Sequence, residues 1–423
     1  MDELFQQAAD TIQAANEITI ISHADADGIC ATALLEEHLD QLHKQFSTIF
    51  LQQVSTVGLA HLARKTSGLV LFVDMGSSHL EAITRHFPDA VIVDHHKPEG
   101  STKQLLVNPW TAALDGTKDA CAASLAWKIA AVHGKPAATT ALIGAQADNQ
   151  EPFRTYNKEV LDAAVKKGNV TPREGARLYG ISTKPLVPLL AFSYDLAIEG
   201  VTKNTAGAKK FLQELGISTE GSFSDLTEEE QQQLEAALIE KSTHPEPKIT
   251  HYHMPHGEGP LKDTREAATL LNACGRMGQP ELAVQLLRGF ATIEQCQKVQ
   301  RQYKTAVKEA HQTYKEMDLT EGKDLLIINA KEFLLPSIAG TLCSVLTRGR
   351  EVPSDTVVVC LARNQDGTNT TKVSSRTLST RKDLASWLRK AAASVGGEGG
   401  GHSMAAGAVI PTEQEEAFVK ALL

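Results

Sequence analysis

The chain has 423 residues, 42% of them hydrophobic and 22% charged, with a formal net charge of −9. At roughly 150 residues per domain this fits two or three globular domains, and it excludes disorder, collagen and a disulfide-stapled miniprotein. No apolar run approaches the ~20 residues that cross a bilayer, and the acidic start MDELFQQAAD is unlike a signal or transit peptide.

The first 155 residues alternate between strand and helix patterns. ITIISHA (18–24), STIFLQQV (47–54), GLVLFVDM (68–75), AVIVDHH (90–96) and KQLLVNP (103–109) are short runs rich in Val and Ile. Such runs suit parallel strands buried on both faces. Helical stretches lie between them at Gly28–Gln45, Val57–Lys65 and Ser78–Phe87. The pattern predicts a doubly wound α/β sheet. Residues 115–200 read as mainly helical, and 200–245 as helical but more polar, with 227–241 a surface helix or a spacer. A Pro- and His-rich loop follows at 243–260; its His244, His251, His253 and His256 read as exposed loop residues rather than zinc ligands. A polar helix, 292–317, reads as a connector. Strand patterns return at 324–330, 355–364 and 371–377, with helices at 336–348 and 382–394, then a Gly-rich loop and a last small-residue strand. The expected division is 1–200, 201–320 as a helical insertion and connector, and 321–423 as a smaller α/β domain with a mixed sheet.

Three of the early strands end in polar clusters: SHADADG, VDMGSS and VDHHKPEG. Ligands bind at the carboxyl ends of strands in open parallel sheets, so these clusters point to one rim. Alternation along an extended segment puts His23, Asp25 and Asp27 on one side. Asp74, Asp94, His95 and His96 end later strands, and Asp148 follows a helical run. An Asp at a strand end is usually a cap or turn residue, and a lone His is usually structural. Several clusters at successive strand ends favour a shared site. Carboxylate and imidazole without Cys are hard ligands for Mn²⁺ or Mg²⁺, and two such ions would relieve the carboxylates' repulsion. The six Cys (30, 121, 274, 296, 343, 360) form no CxxC pair and fit reduced thiols in a cytoplasm.

SHADADG, VDMGSS, VDHH and GAQADNQ resemble motifs I to IV of the DHH phosphoesterase superfamily, in order. GGEGGGHSMAAG resembles the signature of the DHH-associated C-terminal domain. LLNACGRMG (270–278) and KVSSRT (372–377) resemble segments of RecJ-type nucleases, closest in appearance to archaeal RecJ-like proteins. The likeness thins across about 200–262. It implies that 1–200 is the phosphoesterase domain and 321–423 the substrate-binding domain. By similarity, His23, Asp25 and Asp74 would hold one divalent cation, Mn²⁺ or Mg²⁺, and Asp27, Asp74, His95 and Asp148 a second. Asp94 would orient the His pair, and His96 would contact the scissile phosphate or donate a proton.

The same resemblance makes Arg276, Ser374, Arg376, Gly399, Gly400, Gly401 and His402 phosphate-binding residues. A bare Gly run is otherwise a flexible turn, and most single Arg are solvated. Consecutive Gly residues let backbone N–H groups approach an anion, and Arg forks onto phosphate. The implied activity is a two-metal phosphodiester hydrolase, a RecJ-like exonuclease on single-stranded DNA or RNA, with a cleft between two lobes. Alternatives are a phosphodiesterase for short oligonucleotides or cyclic dinucleotides, and a replication or repair scaffold that partners the GINS complex and the replicative helicase. No membrane partner is expected.

Overall fold

The computed structural model describes residues 1–193, 196–349, 351–365 and 367–423. Contacts divide the chain into two units, Met1–Gln297 and Lys298–Leu423. No helix among the described residues is long and apolar enough to cross a membrane.

In the first unit, helix α1 (Asp2–Ala14) precedes β1 (Glu17–His23), α2 (Ala26–Gln41), β2 (Gln45–Leu51), α3 (Thr56–Leu62), β3 (Leu69–Val73), α4 (Leu80–His86), β4 (Val91–Val93) and β5 (Leu105–Val107). The strands form one parallel sheet in the order β2-β1-β3-β4-β5. Ile18–Ser22 of β1 are all buried, as the unbroken apolar run requires for a central parallel strand. Because every strand runs the same way, His23, Asp74 and Asp94 leave the sheet at one rim. Helices α5 (Ala122–Ala131), α6 (Ala138–Ala147) and α7 (Thr155–Lys166) follow, and α5 and α6 pack on α2.

The stretch read as mainly helical holds a strand. β6 (Thr171–Ala176) pairs antiparallel with β7 (Lys248–His253), which arises from the supposed Pro/His loop. TPREGA has no apolar alternation, and its hydrogen-bonding partner lies far along the chain, so tertiary pairing overrides weak local preference. One exposed-histidine expectation fails here. His251 is 2% exposed, with Nε2 2.9 Å from the Ala176 carbonyl oxygen. Between these strands, α8 (Leu186–Ala191), α9 (Thr205–Glu214) and α10 (Glu228–Lys241) share a core that includes Leu189, Phe211, Leu234 and Leu238. α10 thus buries one side rather than standing as a spacer. The unit closes with α11 (Thr264–Arg276) and α12 (Pro280–Leu287), and α13 (Ile293–Thr313) runs across the boundary into the second unit.

The second unit contains β8 (Asp318–Gly322), β9 (Leu325–Asn329), α14 (Pro336–Arg348), β10 (Val357–Arg363), β11 (Thr370–Arg376), α15 (Leu384–Ser394), β12 (Glu398–Gly401), β13 (Ala405–Pro411) and α16 (Glu415–Leu422). Its six-stranded sheet has the order β12-β13-β11-β10-β9-β8; β9 and β10 are parallel and the other pairs antiparallel. Alternate residues feed two cores. Leu325, Ile327, Val357, Val359 and Leu361 face α15 and α16; Leu326, Ile328, Val358 and Cys360 face α14. The Gly run read as a loop is the edge strand β12. Glycine gives no side-chain pattern, so only the partner strand β13 marks it as extended.

Candidate metal centre

His23 is the last residue of β1, and Asp25 caps α2, its carboxylate accepting from Gly28 N–H at 3.1 Å. Asp27 is not extended, as the alternation argument supposed, but lies in the first turn of α2. It is fully buried, and its oxygens accept from the N–H groups of Ala122 (2.7 Å) and Ala123 (2.9 Å) at the start of α5. Two backbone donors at a helix N-terminus favour the ionised form. Gly144 of α6 faces this carboxylate. A Cβ there would lie 2.6 Å from Asp27 Oδ1 and 2.5 Å from Ala123 Cβ.

Asp74 follows β3 in the left-handed region, at φ +58, with its N–H donating to Val93 O. Its carboxylate is the hub of the site. Oδ2 lies 3.4 Å from His23 Nδ1, and Oδ1 lies 3.3 Å from His95 Nε2. Asp74 Oδ1 nevertheless has no hydrogen bond among the described residues, although it is buried. His23 Nδ1 also meets Asp25 at 3.0 Å. His95 Nε2 lies 3.0 Å from Asp148 Oδ2 and 3.9 Å from Asp27 Oδ2. Asp148 caps the C-terminus of α6.

His95 and His96 have different anchors. His95 Nδ1 donates to Gly116 O at 2.7 Å, which leaves Nε2 as the ligating nitrogen. Trp110 Nε1 donates to His95 O at 3.0 Å. His96 Nδ1 lies 2.7 Å from Asp94 Oδ1, and its side chain is half exposed. Asp94 also accepts from Ser77 N–H at 2.9 Å and His96 N–H at 3.1 Å.

Charge is crowded here. Burial, and then the carboxylates of Asp74 and Asp148, push Asp27 well above the usual carboxylate range. Burial and Asp25 likewise raise Asp74, against the opposing pull of the His23 and His95 rings. Burial would lower His95, but Asp148 and Asp74 raise it well above its ordinary value. Three overlapping groups bring ligand atoms within 4.8 Å of one another: His23, Asp25 and Asp74; Asp27, His95 and Asp148; and Asp74, Asp94, His95 and His96. Hard oxygen and imidazole donors, raised carboxylates and an unsatisfied Asp74 oxygen suit divalent cations such as Mn²⁺ or Mg²⁺.

Several supporting residues were given no role of their own by the sequence reading. A Cβ on Gly116 would lie 1.9 Å from His95 O. Gln150 Nε2 donates to Gly116 O at 3.0 Å, and Asn157 Nδ2 donates to Gln150 Oε1 at 2.6 Å. Asn272 Oδ1 accepts from Ala26 N–H at 3.0 Å, and a Cβ on Gly275 would lie 1.6 Å from Ala24 O. The NACGRMG segment therefore packs directly on the SHADADG loop. Arg276 ends α11 in this same unit, half-buried.

The other expected phosphate contacts belong to the second unit. Ser374 and Arg376 lie on β11, and Ser374, Gly407 and Gly400 are in register across three strands. A Cβ on Gly340 of α14 would lie 3.1 Å from Arg376 Nη2 and 3.6 Å from Ser374 Oγ. Gly399, Gly400 and Gly401 form the edge strand rather than a loop, and His402 sits exposed in the turn after it. Arg389, not singled out from the sequence, donates from Nε to Gly399 O at 3.4 Å.

Three family descriptions match the chain: the DHH family N-terminal domain over 17–164, the DHH-CID domain over 178–250 and the DHHA1 domain over 333–423. The chain thus carries DHH, DHH-CID and DHHA1 domains, in that order. The uncharacterized protein MJ0831 of Methanocaldococcus jannaschii is 25% identical over 95% of this chain and 91% of its own length. RecJ of Thermus thermophilus, solved in complex with Mn²⁺, superposes with a TM-score of 0.60 at 16% identity. That match covers 100% of this chain, which spans only 53% of the RecJ chain. CDC45 of Entamoeba histolytica superposes with a TM-score of 0.64 at 14% identity, over 99% of this chain and 97% of that one. At such identities the likeness is one of fold, and this DHH protein has the RecJ-like fold.

Proposed function

We propose that this DHH protein is a metal-dependent phosphodiester hydrolase, acting as a RecJ-like exonuclease on single-stranded DNA or RNA. The observation that carries this reading is the Asp74 carboxylate, set between His23 at 3.4 Å and His95 at 3.3 Å with one buried oxygen unsatisfied. His23, Asp25 and Asp74 would hold one divalent cation, and Asp27, Asp74, His95 and Asp148 another. Such ions supply Lewis-acid polarisation of a phosphate and a lowered pKa for water. The Thermus RecJ solved with Mn²⁺ supports that choice of ion.

The chain's own groups do the rest. Gly116 O holds the His95 ring so that Nε2 faces the carboxylates. Asp94 holds His96 by Nδ1, leaving Nε2 for a substrate phosphate or a leaving oxygen. Burial would lower the His96 pKa, but Asp94 raises it, so a proton is held there for donation. Arg276, Ser374, Arg376, the Gly399–Gly401 strand and His402 would bind substrate phosphates without reading bases.

The test is end-labelled single-stranded DNA and RNA, each with Mn²⁺, Mg²⁺ or chelator, beside a dinucleotide. A metal-dependent ladder from one end is expected. Turnover of the dinucleotide alone would assign a short-oligonucleotide phosphodiesterase, and no hydrolysis of any phosphodiester would defeat the reading. The whole-length fold likeness to CDC45 supports a second reading, a scaffold partner of the GINS–helicase assembly. Loss of hydrolysis in Asp74→Ala with assembly intact would mean that both roles hold.

A further inference from the structure

Helix α13 buries one seam and exposes its opposite side. Cys296, Val299 and Ala310 are buried and Tyr303 and Val307 are partly buried, at helical spacing. About half a turn away around the helix lie Lys298, Arg301, Lys304 and Lys308, all exposed. No acidic residue occurs between Gln295 and Lys308. The four cations span ~15 Å at 1.5 Å per residue. None has a carboxylate partner among the described residues.

A solvated helix face usually mixes signs, with Glu and Lys paired at i, i+4. Here Arg301 and Lys304 at i, i+3, and Lys304 and Lys308 at i, i+4, are like-charged neighbours that disfavour the helix. The stripe also stands out in a chain with 51 acidic against 42 basic residues. Acidic proteins repel polyanions overall, so a phosphate backbone needs a local track of positive charge.

We propose that Lys298, Arg301, Lys304 and Lys308 form a track that binds the phosphate backbone of a single-stranded nucleic acid. This rests on the hydrolase reading above and specifies a polymeric substrate. The cations sit three to four residues apart on one face, so successive phosphates can follow the helix axis. The contact carries no base specificity.

The test replaces all four residues with Gln in the full chain. Binding of a fluorescent oligothymidylate is measured in chelator across a salt series, and hydrolysis of a dinucleotide is measured in Mn²⁺. Each lost phosphate contact lowers the log–log salt slope by ~0.7 for a single strand. The expected result is a slope reduced by roughly two to three and weaker binding, with dinucleotide turnover unchanged. An unchanged slope and affinity would overturn the track, as would a variant that loses binding to polyglutamate but not to the oligonucleotide. If the wild type cleaves the dinucleotide but does not bind the polymer, the track fails and the hydrolase stands. If stripe-dependent binding persists while nothing is cleaved, the hydrolase reading fails and the track stands.

Discussion

His95 and Asp148 meet at 3.0 Å, imidazole Nε2 to carboxylate Oδ2, although one follows β4 of the parallel sheet and the other caps α6, three elements further on. What sets this distance is the support behind the ring. Gly116 O takes the Nδ1 proton, and Gln150 donates to that same carbonyl.

Gly116→Ala should therefore damage the site through His95 without removing any ligand. The new methyl would lie 1.9 Å from His95 O. Loss of such outer support typically costs 10- to 100-fold in metal affinity or activity. Gln150→Leu should give a similar loss without the backbone clash. Mn²⁺ titration calorimetry and phosphodiesterase rates check both; wild-type values in the two variants would refute the positioning role.

Divalent cations should stabilise the first unit, because they relieve the buried carboxylates of Asp27 and Asp74. Ligand at 100 times its Kd adds about 2.7 kcal/mol to the bound fold. Thermal unfolding with and without Mn²⁺ reads this as a rise in Tm. Asp74→Asn should abolish the rise while leaving the chelated protein as stable as wild type or more so, since it removes a raised carboxylate.

Gly275→Ala should destabilise the first unit by about 3 kcal/mol or more, because its methyl would lie 1.6 Å from Ala24 O in a packed helix contact. Asn272→Ala should cost about 1 kcal/mol, the value of the lost acceptor for Ala26 N–H. Urea unfolding of the first unit measures both. Equal effects would mean that α11 is not seated on the SHADADG loop as described.

His251 should make this fold acid-sensitive well before carboxylates titrate. Burial lowers its pKa to about 4, against the opposing hydrogen bond to Ala176 O. The unfolded chain takes up this proton near pH 6.5, so it binds more protons than the native state between those values. Stability is full above about 6.5 and falls as pH drops towards 4, by up to about 3 kcal/mol. His251→Gln keeps a donor for the carbonyl and should flatten that slope. Urea midpoints from pH 4 to 7 decide it; an unaltered slope in the variant would show that other groups cause the loss.

Much of the site was readable in advance because strand ends are easy to find. The apolar runs before His23, Asp74 and Asp94 predict parallel strands, and parallel strands deliver their carboxyl ends to one rim. The mixed second sheet was readable for the same reason at 324–330 and 355–364. The weak strands were not. TPREGA and EGGG lack a period-two pattern, and each is extended only because β7 or β13 supplies its hydrogen bonds. Asp27 does lie beside His95, but a helix start rather than strand alternation brings it there.

The linear order of residues alone established the chemistry present: hard oxygen and nitrogen donors at successive strand ends and no thiolate pairs. Tertiary structure alone decided which of them support one another. Gly116, Gln150, Asn272 and Gly275 act through backbone groups of distant segments. A backbone carbonyl carries no identity in the sequence, so its partners become visible only once the chain is folded.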